Sequence, residues 1–324
     1  MTLVAPVNLV YDGTAKTVTI DGSIEGVQMP SINITGDTTN VTEEGCTATI
    51  TVAGETATLS FKIVPASIAE ATVSAEDQTY TGKAITPDEV TVILDNKNLT
   101  LNTDYTVAYA DNVNVGTATI TVTGKGNYTG TATGVFNIKA ASIEAAQITV
   151  ADQIYTGEEL ETTVIVILGD KELTLNTDYT LAYEDNRDVG MAKVTINGMG
   201  NYTGTVERTF TISLSGSALT AEAEAEYTYG DKITVTGTIT ATGEVPEQQS
   251  NKLRWAAPSM TLFCGETELG SAVVNGNTYT IEYDTTVKLL PIGTHTLTVK
   301  YSGSKNLADA TATVTVSLMK AAPE

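Results

Sequence analysis

Thr117-Ala-Thr-Ile-Thr-Val-Thr-Gly-Lys-Gly-Asn-Tyr-Thr-Gly130 is the stretch on which the reading of this chain turns. Its first seven residues alternate strictly, with Ala118, Ile120 and Val122 at one parity and four threonines at the other. Side chains of a strand project to opposite faces with a period of two, so this is a strand with one face in a core and one toward water. Gly124 and Gly126 behind it, and Gly82 ahead of it, fit tight turns that need positive φ. Tyr105, Val107 and Tyr109 make a second half-buried face. Val90, Val92 and Leu94 make a third, closed by the turn-rich Asp95-Asn-Lys-Asn98. With residues 71–74, 78–80, 99–101 and 131–138 added, this region holds about seven short strands, the number of a two-sheet sandwich.

The same stretch is repeated. Asp77-Gln-Thr-Tyr-Thr-Gly82 returns as Asp152-Gln-Ile-Tyr-Thr-Gly157, 75 positions on, and Leu99-Thr-Leu-Asn-Thr-Asp-Tyr105 returns at 173–179, 74 positions on. The offset of 74 then holds for Asp111-Asn112, Gly116, Gly126-Asn-Tyr-Thr-Gly130 and Phe136. A period of this length marks a repeated structural unit. A shorter copy precedes these two, with Tyr11-Asp-Gly13, Thr47-Ala-Thr-Ile-Thr-Val52 and Phe61-Lys-Ile63, and it lacks the Gly-Asn-Tyr segment. From Ser215 the period breaks. Ile233, Val235 and Ile239, and later Leu297, Val299 and Tyr301, still alternate with polar neighbours. The sequence therefore predicts an all-β chain of tandem immunoglobulin-like sandwiches placed end to end, with modules at 1–65, 66–139, 140–213 and 214–324. The last carries a polar insertion at 244–255. The junctions Pro65-Ala-Ser-Ile68 and Ala140-Ala-Ser-Ile143 contain none of the Gly/Ser or Pro runs of a flexible tether.

The Tyr-x-Gly openings, followed by Asp-Tyr-Thr, Asp-Asn, Val-Gly and Gly-Asn-Tyr-Thr-Gly, resemble the YDG or MBG-type repeats of bacterial surface proteins over residues 8–213. Tyr229-Gly-Asp-Lys, Pro258-Ser-Met-Thr-Leu-Phe263, Leu269-Gly270 and Gly293-Thr-His-Thr-Leu-Thr-Val-Lys-Tyr-Ser-Gly303 resemble the bacterial Ig-like repeat of large adhesins, over residues 215–318. Both resemblances imply β-sandwiches in secreted or surface-attached proteins, without catalytic residues of their own.

Composition narrows the partners. The chain has 324 residues, 39 of them acidic and 17 basic, for a net charge of −22. Such a field repels polyphosphate backbones and anionic headgroups, so neither nucleic acid nor a membrane surface is expected as partner. No run of about 18 apolar residues exists, and Met1–Val10 lacks a basic start, so any export signal or anchor is expected outside these residues. Cys46 and Cys264 are the two cysteines, in different modules, and are expected as free thiols. We expect an extracellular, cell-surface monomer.

Candidates for chemistry are few. His295 is the sole histidine, so a triad, a Cys-His pair or a multi-histidine metal site depends on it, yet its parity with Leu297, Val299 and Tyr301 reads as a strand-end side chain. Asp104, Asp111, Asp178 and Asp185 recur at equivalent loop positions. They read as turn residues, because no Asp-x-Asp-x-Asp-Gly spacing supports calcium. The five Asn-x-Thr sequons at Asn33, Asn40, Asn98, Asn127 and Asn201 read as products of a Thr-rich chain, with the Asn of Gly-Asn-Tyr a turn residue. Lys62 and Lys139 are weighed as donors of a stabilising Lys–Asn amide bond. No catalytic residue, metal ligand or cofactor is expected. Glu244–Trp255 is the segment best suited to recognition. There Trp255 offers a flat apolar face, and Gln248, Gln249 and Arg254 supply hydrogen bonds to a glycan or a host protein. The alternative is that Trp255 folds back to cover the end of its sandwich or the joint with the third module.

The leading expectation is a non-catalytic stalk with an adhesive purpose, on the order of 130–150 Å long for strands rising ~3.3 Å per residue. A glycan- or host-protein-binding module, and an accessory part of a secreted polysaccharide-active enzyme, are the alternatives.

Overall fold

The computed structural model describes residues 1–242, 259–287 and 290–321, and every regular element among them is a β-strand. The chain divides into two compact units. One is Met1–Ala141 with Gly200–Tyr202, and the other is Ser142–Met199 with Thr203–Glu324.

In the first unit the decisive stretch becomes the strand Gly116–Gly124. It lies between Tyr105–Ala110 and Thr131–Lys139, both antiparallel to it, and Gln78–Thr79 adds a parallel edge. A second sheet of Lys97–Asn98, Thr91–Leu94 and Thr72–Ser74 faces it. Ala118, Ile120 and Val122 are fully buried between the sheets with Phe136, Ile138 and Val92, while the threonines of the opposite parity face outward. An inward side chain at every second position is what the alternation requires.

Two local expectations need correcting. Asp95 and Asn96 both take left-handed backbone, φ 47° and 64°, as a two-residue hairpin turn demands. The chain therefore reverses at once, and Lys97–Asn98 pairs with Leu94 and Ile93. The short strand is at 97–98, where a turn was expected, and not at 99–101. Gly82 and Gly126 do have positive φ, at 79° and 65°, but Gly124 does not. Its constraint is space, because a Cβ there would lie 2.6 Å from the Thr129 nitrogen of the returning chain.

Preceding this sandwich, Asn33–Thr35, Cys46–Val52 and Glu55–Phe61 form one sheet and Thr2–Val4 with Thr19–Asp21 another. Val18, Cys46, Ala48 and Phe61 make up the core between them. Cys46 is buried and Cys264 half-buried, and both are free.

Residues 147–213, all but Gly200–Tyr202 in the second unit, repeat the same strand order in both sheets, with Ala192, Val194 and Ile196 buried on the central strand Gly190–Gly198. The fourth sandwich is larger. Ser217–Leu219, Lys232–Ala241 and Thr278–Asp284 face a five-stranded sheet of Glu226–Thr228, Ala310–Met319, Gly293–Tyr301, Ser259–Cys264 and Thr267–Val273. Ile233, Val235 and Ile239 meet Leu297, Val299 and Tyr301 in its core, at the parity read from sequence.

Candidate functional site

The feature the structure builds more than once is a joint. Its receiving half lies at one pole of each sandwich and has two parts. The first is a tyrosine just past a short parallel edge strand. Its N–H is tied to the end of the sandwich's last strand, from Tyr11 to the Val64 carbonyl (2.9 Å), Tyr80 to Lys139 (2.8 Å), Tyr155 to Ser213 (3.0 Å) and Tyr229 to Met319 (2.8 Å). The second is the loop entering a central strand. In three sandwiches it ends in a left-handed glycine that opens the strand, Gly116 (φ 141°), Gly190 (144°) and Gly293 (138°). A Cβ on any of the three would meet nothing within 4 Å, so glycine stands there for its backbone freedom and not for space.

The inserting half is the Asn-Tyr corner of the next sandwich. Asn127 Oδ1 accepts the Val41 N–H (2.7 Å), and Asn127 Nδ2 donates to Asn40 Oδ1 (2.9 Å). The Asn127 carbonyl accepts from Ala66 and that of Thr129 from Ile68, so residues 66–67 and 128–129 make a short parallel ladder. Beside it Tyr128 packs edge-on against Tyr11, ring centroids 5.3 Å apart and planes at 81°. Lys97 Nζ lies 5.6 and 5.5 Å from the two ring centroids and donates to Tyr128 Oη at 2.9 Å. A carboxamide suits this place because it offers an acceptor and a donor on one planar group.

Also in the first unit, Asn201 Oδ1 accepts the Val115 N–H (2.9 Å), Asn201 Nδ2 donates to Asn114 (3.1 Å), and Tyr202 packs edge-on against Tyr80 at 5.4 Å. In the second unit the period has been lost from the sequence, yet Asn306 makes the same two bonds, accepting from Val189 N–H (3.1 Å) and donating to Asp188 Oδ1 (3.1 Å). Leu307 stands where the others have tyrosine and is buried. Lys305 Nζ pairs with Asp188 Oδ2 at 3.3 Å. The Asn306 and Lys305 bonds together hold the Asp188 carboxyl below its usual range.

The asparagine of Gly-Asn-Tyr is therefore more than the turn residue it was expected to be. Its side chain leaves the turn and clasps the preceding loop. Asn40, Asn127 and Asn201, three of the sequon asparagines, all spend their side chains this way or in accepting it. A signal was present in the sequence, since an Asn followed by a large apolar residue stands just past a central strand in the last module as well as in the twin copies.

The other candidates fall as follows. Trp255, Arg254, Gln248 and Gln249 lie outside the described residues. His295 Nε2 donates to the Pro291 carbonyl, and its Nδ1 stands 3.9 Å from Cys264 Sγ, a proximity that neighbours in sequence could not reveal and that strand pairing creates. Donation from Nε2 to a main-chain carbonyl fixes the tautomer with the Nδ1 lone pair toward the Cys264 thiol. Asp104 and Asp178 accept the N–H groups of Thr100 and Thr174, and Asp111 and Asp185 are left-handed turn residues. Among the described residues no three His, Cys, Asp or Glu converge for a metal. Lys139 is exposed and paired with Asp77 at 3.0 Å, and Lys62 Nζ reaches the Glu43 carbonyl, so neither has the buried surroundings that an amide cross-link requires. An open polar groove of about 1200 Å³ runs along Glu158, Glu161, Tyr183 and Arg187. Its guanidinium and phenol are already given to the Gly157 and Thr162 carbonyls.

Residues 219–318 match the family model described as bacterial Ig-like domain (group 3). No curated protein matches the chain. Among solved structures it is similar to a tandem of titin Ig domains, 12% identical with a TM-score of 0.24, over 55% of this chain and 97% of that one. Fibronectin(III)-like modules of Clostridium thermocellum CbhA are 10% identical with a TM-score of 0.27, over the same shares. No helix among the described residues is long and apolar enough to cross a membrane.

Proposed function

We propose that this chain is a non-catalytic, extracellular spacer of four Ig-like modules that carries an adhesive or other surface function at a distance. The observation that supports it most is the joint. A spacer transmits position only if each module is fixed to the last, and the Asn127 and Asn306 clasps do this with different neighbouring sequences around the same two bonds. The match of residues 219–318 to a bacterial Ig-like family, the net charge of −22 and the resemblance of residues 8–213 to surface-protein repeats agree with this reading. A glycan or a protein of another cell surface is the partner class it implies.

Small-angle scattering on the full chain tests the proposal. A spacer gives a maximum dimension on the order of 130–150 Å. A radius of gyration near 20 Å, roughly that of one compact body of this length, would sink it.

A further inference from the structure

Within the two units the corners at Asn127 and Asn306 occupy the poles of the sandwiches before them, and the described residues contain a further pole that no corner of this chain enters. At the end of the last sandwich, Tyr229 is held to Met319 as Tyr80 is to Lys139. Gly293 opens its central strand at the same left-handed φ as Gly116 and Gly190. By that register Pro291-Ile292 stands where Asn114-Val115 and Asp188-Val189 stand. These residues, with Leu290, Lys320 and Ala321, line an apolar groove of about 480 Å³. Its parts are more exposed than their counterparts at the occupied poles, where Tyr155 is buried, Tyr11 and Tyr80 are half-buried and Val115 is 39% exposed. Tyr229 is 37% exposed whereas Tyr155 is 2% exposed, and Ile292 is 58% exposed.

We propose that this groove is an open docking socket for one kind of occupant, a further Ig-like sandwich whose Asn-Tyr or Asn-Leu corner follows the strand Ala310–Met319 in tandem. The occupant's aromatic or leucine side chain lies against Tyr229, and its Asn Oδ1 takes the Ile292 N–H as Asn127 takes that of Val41. The socket departs from the others in one respect. Pro291 has no side-chain acceptor, and its carbonyl is already bound by His295 Nε2. One clasp bond is therefore replaced by apolar contact with Pro291 and Ile292, so the side chain after the Asn carries more of the attachment. A second copy of this chain does not supply the occupant with its leading end. Its first sandwich turns from Cys46–Val52 to Glu55–Phe61 through Ala53-Gly54 alone and has no such corner. The inference deepens the spacer reading but rests on the geometry of the joint, and its test reads local protection and not length.

The test is a fusion in which a copy of residues 142–213 follows Ala321 of the full chain, and a second fusion that appends a copy of residues 67–139 in the same register. Amide exchange by mass spectrometry then follows the peptides covering Tyr229 and Leu290–Gly293. The expected result is slowing on the order of 10-fold or more at both, relative to the unfused chain. The slowing should be lost when the Tyr of the appended corner, the copy of Tyr202 or of Tyr128, is changed to Ala. Unchanged exchange beside a folded appended sandwich overturns the proposal. So does failure of both appended sandwiches to gain protection, since a socket in register supports its occupant. Concentration-dependent dimerisation of the unfused chain that Tyr229→Ser abolishes would assign the groove to a second copy, and would equally overturn it. Scattering on the unfused chain decides the spacer reading separately.

Discussion

The Asn127 and Asn306 joints make the same pair of hydrogen bonds and surround them with opposite chemistry. Around Asn127 the partner is the neutral Asn40, and the weight is carried by two edge-packed tyrosines with Lys97 over both rings. Around Asn306 the partner is the carboxylate of Asp188, an ion pair with Lys305 joins it, and a leucine replaces the aromatic corner. What persists is the carboxamide bridging a backbone N–H and a side-chain oxygen. The packing and the charge around it are interchangeable.

The sharpest way to break this comparison is to remove the corner side chains. Tyr128→Ala deletes a buried ring together with its contact to Tyr11 and its bond from Lys97, and is expected to cost about 3–5 kcal/mol locally. Leu307→Ala is expected to cost about 2–4 kcal/mol, mostly inside its own sandwich. Exchange at Ala66–Ile68 and at Ser215 measures the two, and equal losses at both joints would show that the aromatic pair adds nothing. Next in size, Asn127→Ala and Asn306→Ala each remove two bonds at part-exposed sites, and should cost about 1–2 kcal/mol. Faster exchange of the Val41 and Val189 amides, respectively, is the readout. No change at either amide would reduce the clasp to a passive contact.

Acidification separates the joints. The folded-state pKa of Asp188 is depressed, so its contribution is present above the unfolded carboxylate value near 4 and is lost as pH falls through the folded one. The Val189 amide is therefore expected to lose protection under acid before Val41, because Asp188 accepts within the clasp itself, whereas the carboxylate at the other joint, Asp37, is also depressed but stands one bond behind Asn40. The order reversed would contradict the assignment. Smallest of all, raising salt toward ~1 M should weaken the exposed Asp188–Lys305 pair by at most a few tenths of a kcal/mol and leave the tyrosine pair unmoved.

The sandwiches were legible because a strand with one buried face writes itself into sequence at a period of two. Ala118, Ile120 and Val122 could be assigned to a core from their parity alone. The joint was not legible, because a turn asparagine and a clasping asparagine obey the same local rules and differ only in what comes within reach of the side chain. The partners of Asn127 lie 86 and 87 positions away, and those of Asn306 117 and 118. The Cys264–His295 proximity was hidden for a related reason, since it needs the pairing of Ser259–Cys264 with Gly293–Tyr301. The hairpin at Asp95-Asn96 is recoverable from its two turn residues, since Lys97-Asn98 behind them returns at once to pair with Leu94 and Ile93.

Those separations bear on synthesis. A ribosome delivers the loop at Val41 and completes the sheet around it through Phe61 well before Asn127 emerges, and it delivers Val189 more than a hundred residues ahead of Asn306. Each receiving pole is therefore finished first and waits, bare, for a corner still being made. The chain assembles in one direction, like masonry laid course by course, and a stall in translation would strand it with one open end.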